Sequence, residues 1–201
     1  MAPVFFLLPA NTRQHIIGED GPIESASVFF YFLGAVVSWI LAKKKFLGCS
    51  YSAGFILSLF ALRELDFHVR FTTMGIFKTR YFLSPDVPWS EKVIVTAILL
   101  SILLLLLKFI TVNWRIFITA IRDRKPYAIS LLSGILLLPI SKLLDSSPRI
   151  IMQNVGLKLH AKVVFVCSYF EETLELAIPI LFLIALLQWR KDAGMYKLPV
   201  S

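Results

Sequence analysis

Glu171, Glu172 and Glu175 open the run EETLELAIPILFLIALLQW (171–189), where carboxylates lead straight into an apolar stretch. A carboxylate within a membrane costs on the order of 2 kcal/mol or more unless it is neutralised or partnered. Glu171 and Glu175 are four residues apart, as are Asp20 and Glu24, and Glu64 and His68. Four residues is slightly more than one helical turn, so each pair shares a helix face. Carboxylates and imidazoles converging from facing helices build metal sites in helical bundles, and Glu and His suit Zn, Fe or Mn. The expected ligands of a divalent metal are Glu64, His68, Glu171 and Glu175. Glu172, Asp20 or Glu24 would serve as general base on water or as supporting hydrogen-bond partners.

The spacing is permissive, and a second chemistry fits the same residues. Eleven acids (Glu19, Asp20, Glu24, Glu64, Asp66, Asp86, Glu91, Asp145, Glu171, Glu172 and Glu175) fall at one level with ten cations (Arg13, Arg63, Arg70, Lys78, Arg80, Lys92, Lys142, Arg149, Lys158 and Lys162). A layer of salt bridges joining helix ends is the alternative. Lys142 would pair with Asp145 three residues on, and Arg63 with a glutamate of the last span.

The elements that must position these groups are membrane helices. The 201 residues are 57% hydrophobic and 17% charged, whereas globular chains are nearer half apolar and a quarter charged. The mean hydropathy is +0.75. Five stretches approach the roughly 20 residues that cross hydrocarbon: 24–42, 47–66, 92–112, 127–144 and 163–188. They lack the alternation of a barrel strand, so the expected fold is all-α, a polytopic transmembrane bundle forming a single domain over 1–201. The opening MAPVFFLLPA has no basic start and no clear cleavage site, and is expected to be retained.

Five spans place the termini on opposite sides. Lys43, Lys44 and Lys45 follow the first span, Arg115, Arg122, Arg124 and Lys125 follow the third, and Arg190, Lys191 and Lys197 follow the fifth. The positive-inside rule makes that side cytoplasmic and the N-terminus external. All three histidines (His15, His68, His160) and all but two of the 13 acids, Asp123 and Asp192, are then external. The basic pI near 9.6 is accounted for by residues beside spans, so no nucleic-acid partner is expected. Cys49 and Cys167 fall near opposite faces and are not expected to pair.

The external connection HVRFTTMGIFKTRYFLSPDVPWSEK (68–92) mixes aromatic and basic residues, a composition suited to the headgroup layer. Arg70, Lys78 and Arg80 are its expected contacts to lipid phosphates, and it is the natural place for a lid over the acids. Trp39, Trp89, Trp114 and Trp189 read as an interfacial belt. Pro139 and Pro179 predict kinks, and Gly34 and Gly54 permit close helix contact.

The stretch GEDGPIESASVFFYFLGAVVSWILAKK, with RELDFH (63–68) and FEETLEL (170–176), resembles uncharacterised bacterial polytopic inner-membrane proteins. Those carry a Glu-Asp-Gly-x-x-Glu element before the first span and acidic elements near later span ends. The resemblance implies a multi-pass protein of the cell inner membrane and implies no reaction. A fainter likeness, through Phe67-His68, is to the alkaline ceramidase superfamily of zinc-dependent membrane hydrolases. The late His-x-x-x-His of that superfamily is missing, and Glu171 and Glu175 stand in an analogous place.

Three functions are compatible with these readings. The first is a metal-dependent hydrolase of a lipid or lipid-linked substrate at the periplasmic face. The second is a non-enzymatic accessory or assembly subunit that binds other membrane subunits. The third is ion or proton translocation, for which spans 3 and 4 supply no relay of acids.

Overall fold

Backbone groups in hydrocarbon must bond within their own segment, and every regular element among the described residues is an α-helix. The structure is a computed structural model that describes residues 21–43, 51–67, 72, 75–76, 79–155 and 160–195. In chain order the helices are α1 (Pro22–Lys43), α2 (Tyr51–Glu64), α3 (Thr79–Leu83), α4 (Trp89–Arg122), α5 (Pro126–Val155) and α6 (Ala161–Met195). Three of them, α1, α4 and α5, are long and apolar enough to cross a membrane. Helix α1 starts on a proline, with Glu24 in its first turn and Lys43 in its last, the arrangement that suits the helix dipole.

Several boundaries differ from the sequence expectation. The expected second span, 47–66, contains a helix of 14 residues, about 21 Å long, that stops where Asp66 takes a positive φ of 47°. Residues 47–50 lie outside the described ones. The expected third and fourth spans sit within much longer helices, since α4 has 34 residues and α5 has 30. Asp145 therefore lies inside α5 and not at its end. The helix also survives Pro148, which has no N–H to give the Leu144 carbonyl, because the Ser147 hydroxyl donates to that carbonyl at 3.0 Å.

Helix α6 is the centre of the bundle, packed against α5 on one side and α1 on the other, with α2 packed on α1. The core holds Tyr31 and Ala35 of α1, Leu57 and Ala61 of α2, and Ile178 and Phe182 of α6. Tyr31 stacks on Phe60 with ring centres 5.5 Å apart. Two glycines allow the close approach. A Cβ at Gly54 would lie 2.3 Å from Trp39 Nε1, and one at Gly134 would lie 2.6 Å from Phe182 Cε1. Trp39 thus has a packing role against α2 in addition to any interfacial one.

The α5–α6 pair is antiparallel, and its register can be followed along three polar contacts. Lys125 meets Asp192 at 3.2 Å, the Ser130 hydroxyl donates to Gln188 at 2.9 Å, and the Ser141 hydroxyl donates to Glu175 at 3.2 Å. Helix α4 stands apart, touching α2 and α5 only lightly and burying only Val95 and Ala120. Its start is fastened by the preceding connection. Tyr81 is buried with Val87 and Val95 and donates to Glu91 at 3.1 Å, and Lys92 Nζ donates to the Ser84 carbonyl at 2.7 Å. Burial, and then the Glu91 carboxylate, push the Tyr81 hydroxyl above its ordinary pKa.

Candidate functional site

The antiparallel register of α5 and α6 carries Ser141, Lys142 and Asp145 to the level of Glu175 and Glu171. Packing of α6 on α1, and of α2 on α1, brings Glu24 and the end of α2 to the same level. Six carboxylates from four helices meet there. Glu172 is within electrostatic range of Glu175, Glu171, Glu24 and Glu64. Glu171 is similarly placed with Asp145, Glu175 and Lys142.

Among the described residues, Arg63 and Lys142 are interleaved with them. Arg63 Nη2 lies 2.8 Å from Glu64 Oε1 and 3.8 Å from Glu175 Oε1, joining α2 to α6. The Glu64 side chain is 8% exposed and that of Glu175 22%, so both carboxylates are largely withdrawn from solvent. Lys142 pairs with Asp145 one turn along α5, as the spacing leads one to expect. The arginine faces the α2 side of the layer and the lysine the α5 side.

Pro179, fully buried one turn below Glu175, adds a backbone feature. A proline at that position cannot donate to the Glu175 carbonyl, so the backbone is opened at the residue whose side chain receives Arg63 and Ser141.

The sequence-derived site residues divide into three groups. Glu24, Glu64, Glu171, Glu172 and Glu175 are brought into one layer. Asp20, His68, Arg70 and Lys78 lie outside the described residues. Arg80 is exposed on α3, on a connection tied to the start of α4. Glu172 stands within electrostatic range of Glu24 on α1 and Glu64 on α2, Glu171 within range of Asp145 and Lys142 on α5, and Glu175 meets Arg63 and Ser141, so all three glutamates face groups of neighbouring helices.

Two contributors escaped the sequence reading. Ser141 is buried at 2% exposure and donates to Glu175. Tyr31, also 2% exposed, lies under the layer within electrostatic range of Glu64, Arg63 and Glu175. The signal for Tyr31 was present, since it is seven residues, or two turns, from Glu24 on the same face. Ser141 had none beyond being a small polar residue in an apolar helix.

Among the described residues, no three histidine, cysteine, aspartate or glutamate side chains converge as ligands of one metal ion. Oxygens of Glu64 and Glu175 are instead engaged by Arg63. Fold and site together define an all-helical bundle, three of whose helices are long and apolar enough to cross a membrane, with an acid-rich polar layer near one end. No protein-family model matches the chain, and neither curated proteins nor solved structures give a match.

Proposed function

We propose that the chain is a multi-pass inner-membrane protein of five spans whose acid-rich layer, at the periplasmic face, takes up positive charge as protons or as a bound cation. One observation carries this reading: Glu24, Glu64, Asp145, Glu171, Glu172 and Glu175 share a half-buried layer in which, among the described residues, Arg63 pairs with Glu64 and Glu175 and Lys142 with Asp145. Carboxylates packed this closely, away from bulk water, repel one another, and an added positive charge relieves that repulsion.

The narrower form of the proposal is metal-dependent hydrolysis of a lipid or lipid-linked substrate. Glu64, Glu171 and Glu175, with His68, would hold Zn, Fe or Mn, and Glu172, Asp20 or Glu24 would act as base. It requires Arg63 to release Glu64 and Glu175. Element analysis of the purified protein beside Glu171→Gln/Glu175→Gln tests it. Stoichiometric metal in the parent, lost in the double variant, supports the metal form. Metal-free protein in both sinks it.

A second reading is favoured by the contacts on Glu175, which takes a hydroxyl from α5 and a guanidinium from α2. In that reading the layer is a joint that ties the helices of an accessory or assembly subunit together. The two readings predict different behaviour of the same double variant. A folded protein that has lost cation uptake supports the first. A protein that has lost stability, with no cation bound in the parent, supports the second.

A further inference from the structure

At the opposite end of the molecule from the carboxylates, the α4–α5 corner forms an open cleft lined by Arg115, Thr119, Asp123, Lys125 and Tyr127. Its backbone is held by paired capping bonds, from Lys125 N–H to the Ala120 carbonyl and from Arg124 N–H to the Ile121 carbonyl, each 2.9 Å. Pro126 then starts α5 directly, so the corner is short and fixed. Lys125 is also tied to Asp192 of α6, which brings Arg190 and Lys191 to the same end. Arg115, Arg122, Arg124, Lys125, Arg190 and Lys191 thus face two carboxylates, Asp123 and Asp192. The corner attracts anions.

Its depth identifies which anion. From Lys92 to Arg115 along α4 is 23 residues, about 35 Å at 1.5 Å per residue, with Lys108 the only charge between them. That is slightly more than the hydrocarbon thickness, so if Lys92 marks one boundary Arg115 stands at headgroup level at the other. The helix face leading to it is bare: Leu100, Leu103, Leu104, Leu107 and Ile110 are all about half exposed or more. A free phosphate would use the cations alone, whereas a phospholipid uses the cations and the bare face together.

We propose that the α4–α5 corner is a binding site for the headgroup phosphate of an anionic phospholipid, whose acyl chains lie along the exposed face of α4. Arg115, exposed at the lip of the cleft, supplies the charge that meets the phosphate, and Lys125, paired with Asp192, stands beside it. The site depends on α4 crossing the membrane and not on what the carboxylate layer binds.

The experiment is native mass spectrometry of the full chain released from nanodiscs of mixed phosphatidylglycerol and phosphatidylcholine. Preferential retention of phosphatidylglycerol is expected. Arg115→Gln should reduce that preference about fivefold, the effect of one basic residue near an anionic surface, and Arg115→Lys should largely retain it. Millimolar glycerol phosphate should fail to displace the lipid. Equal retention of the two lipids by the parent protein overturns the proposal whatever the variants do. So does an unchanged preference in Arg115→Gln, or displacement by glycerol phosphate, which would assign the corner to a soluble phosphate.

Discussion

Arg63 at the end of α2 reaches Glu175 of α6 at 3.8 Å while holding Glu64 of its own helix at 2.8 Å. The short contact is local, between neighbours in sequence, and the long one joins two helices. Arg63 is 42% exposed, so solvent screens part of both interactions. The acids are more withdrawn than the arginine, and removing it strands them. Arg63→Gln is expected to lower stability by about 1–2 kcal/mol, below the loss for a fully buried pair. Thermal unfolding in detergent measures it, and a cycle with Glu175→Gln isolates the interhelical part. Fully additive losses would show that Arg63 and Glu175 do not interact.

Close packing around glycine gives a second prediction. A methyl group at Gly54 would collide with Trp39 and approach the Ala35 carbonyl to 3.0 Å, and one at Gly134 would collide with the Phe182 ring. Phe182 belongs to the core beneath the carboxylates and cannot shift without disturbing its neighbours, whereas at Gly54 the partly exposed Trp39 ring must swing away and the Ala35 carbonyl remains close. Gly54→Ala and Gly134→Ala should each cost about 1–3 kcal/mol by overpacking, despite the better helix propensity of alanine. Melting points equal to the parent would mean that both rings have room to move.

What could be read from sequence was the chemistry of the solvent. Apolar runs with few charges leave helix as the only form for a single chain without barrel alternation, and the helical fold follows from that. Glu24, Glu64, Glu171 and Glu175 could be placed in the layer from sequence because each stands near the same end of an apolar run, and four-residue spacing puts Glu171 and Glu175 on one face. Helix lengths were harder. Expected span ends rested on where charges begin, but a helix need not stop where charges begin, and α4 and α5 continue beyond the expected ends. The neighbours of Glu172 were not legible either. They depend on which helices flank α6, and periodicity within one helix says nothing about its partners.

The α4–α5 corner carries a strained residue. Arg124 has φ of 52°, a left-handed conformation that disfavours side chains with a Cβ. The capping bonds hold it there, and glycine is the residue that ordinarily fills this position after a helix. Arg124→Gly should therefore stabilise the protein by about 0.5–1 kcal/mol, the relief of strain exceeding the added chain entropy of glycine. An unchanged or lower melting point would show that the arginine side chain offsets the strain by a contact of its own.

Tyr81 supplies the pH prediction. Its hydroxyl is raised by burial and by Glu91, so the folded state favours the protonated form. The stabilisation is complete below the unfolded tyrosine pKa of about 10 and is lost as pH rises from there through the higher folded value. Alkaline titration should therefore weaken the α3–α4 junction. Ultraviolet absorbance of tyrosinate should show a late-titrating component, and Tyr81→Phe should reduce it by one residue. A parent protein whose tyrosines all titrate together near pH 10 contradicts the assignment.

The proposed orientation rests on charge, and two exposed positions test it. Leu83 is 78% exposed at the end of α3, and Asp123 is exposed at the turn after α4. Helix α4 separates them, and it has the highest hydropathy of the candidate spans, so they should lie on opposite sides of the membrane. The cations Arg115, Arg122, Arg124 and Lys125 gather at the Asp123 end, which the positive-inside rule assigns to the cytoplasm. Ser84 is a poorer probe than Leu83, being 7% exposed and bonded to Asp86. With Cys49 and Cys167 replaced, Leu83→Cys should react with an impermeant maleimide in intact cells, and Asp123→Cys only after the membrane is opened. The reverse pattern would invert the protein and place the carboxylate layer on the cytoplasmic side. Reaction of both in intact cells would mean that α4 does not cross, and the lipid site at its far end would fall with it.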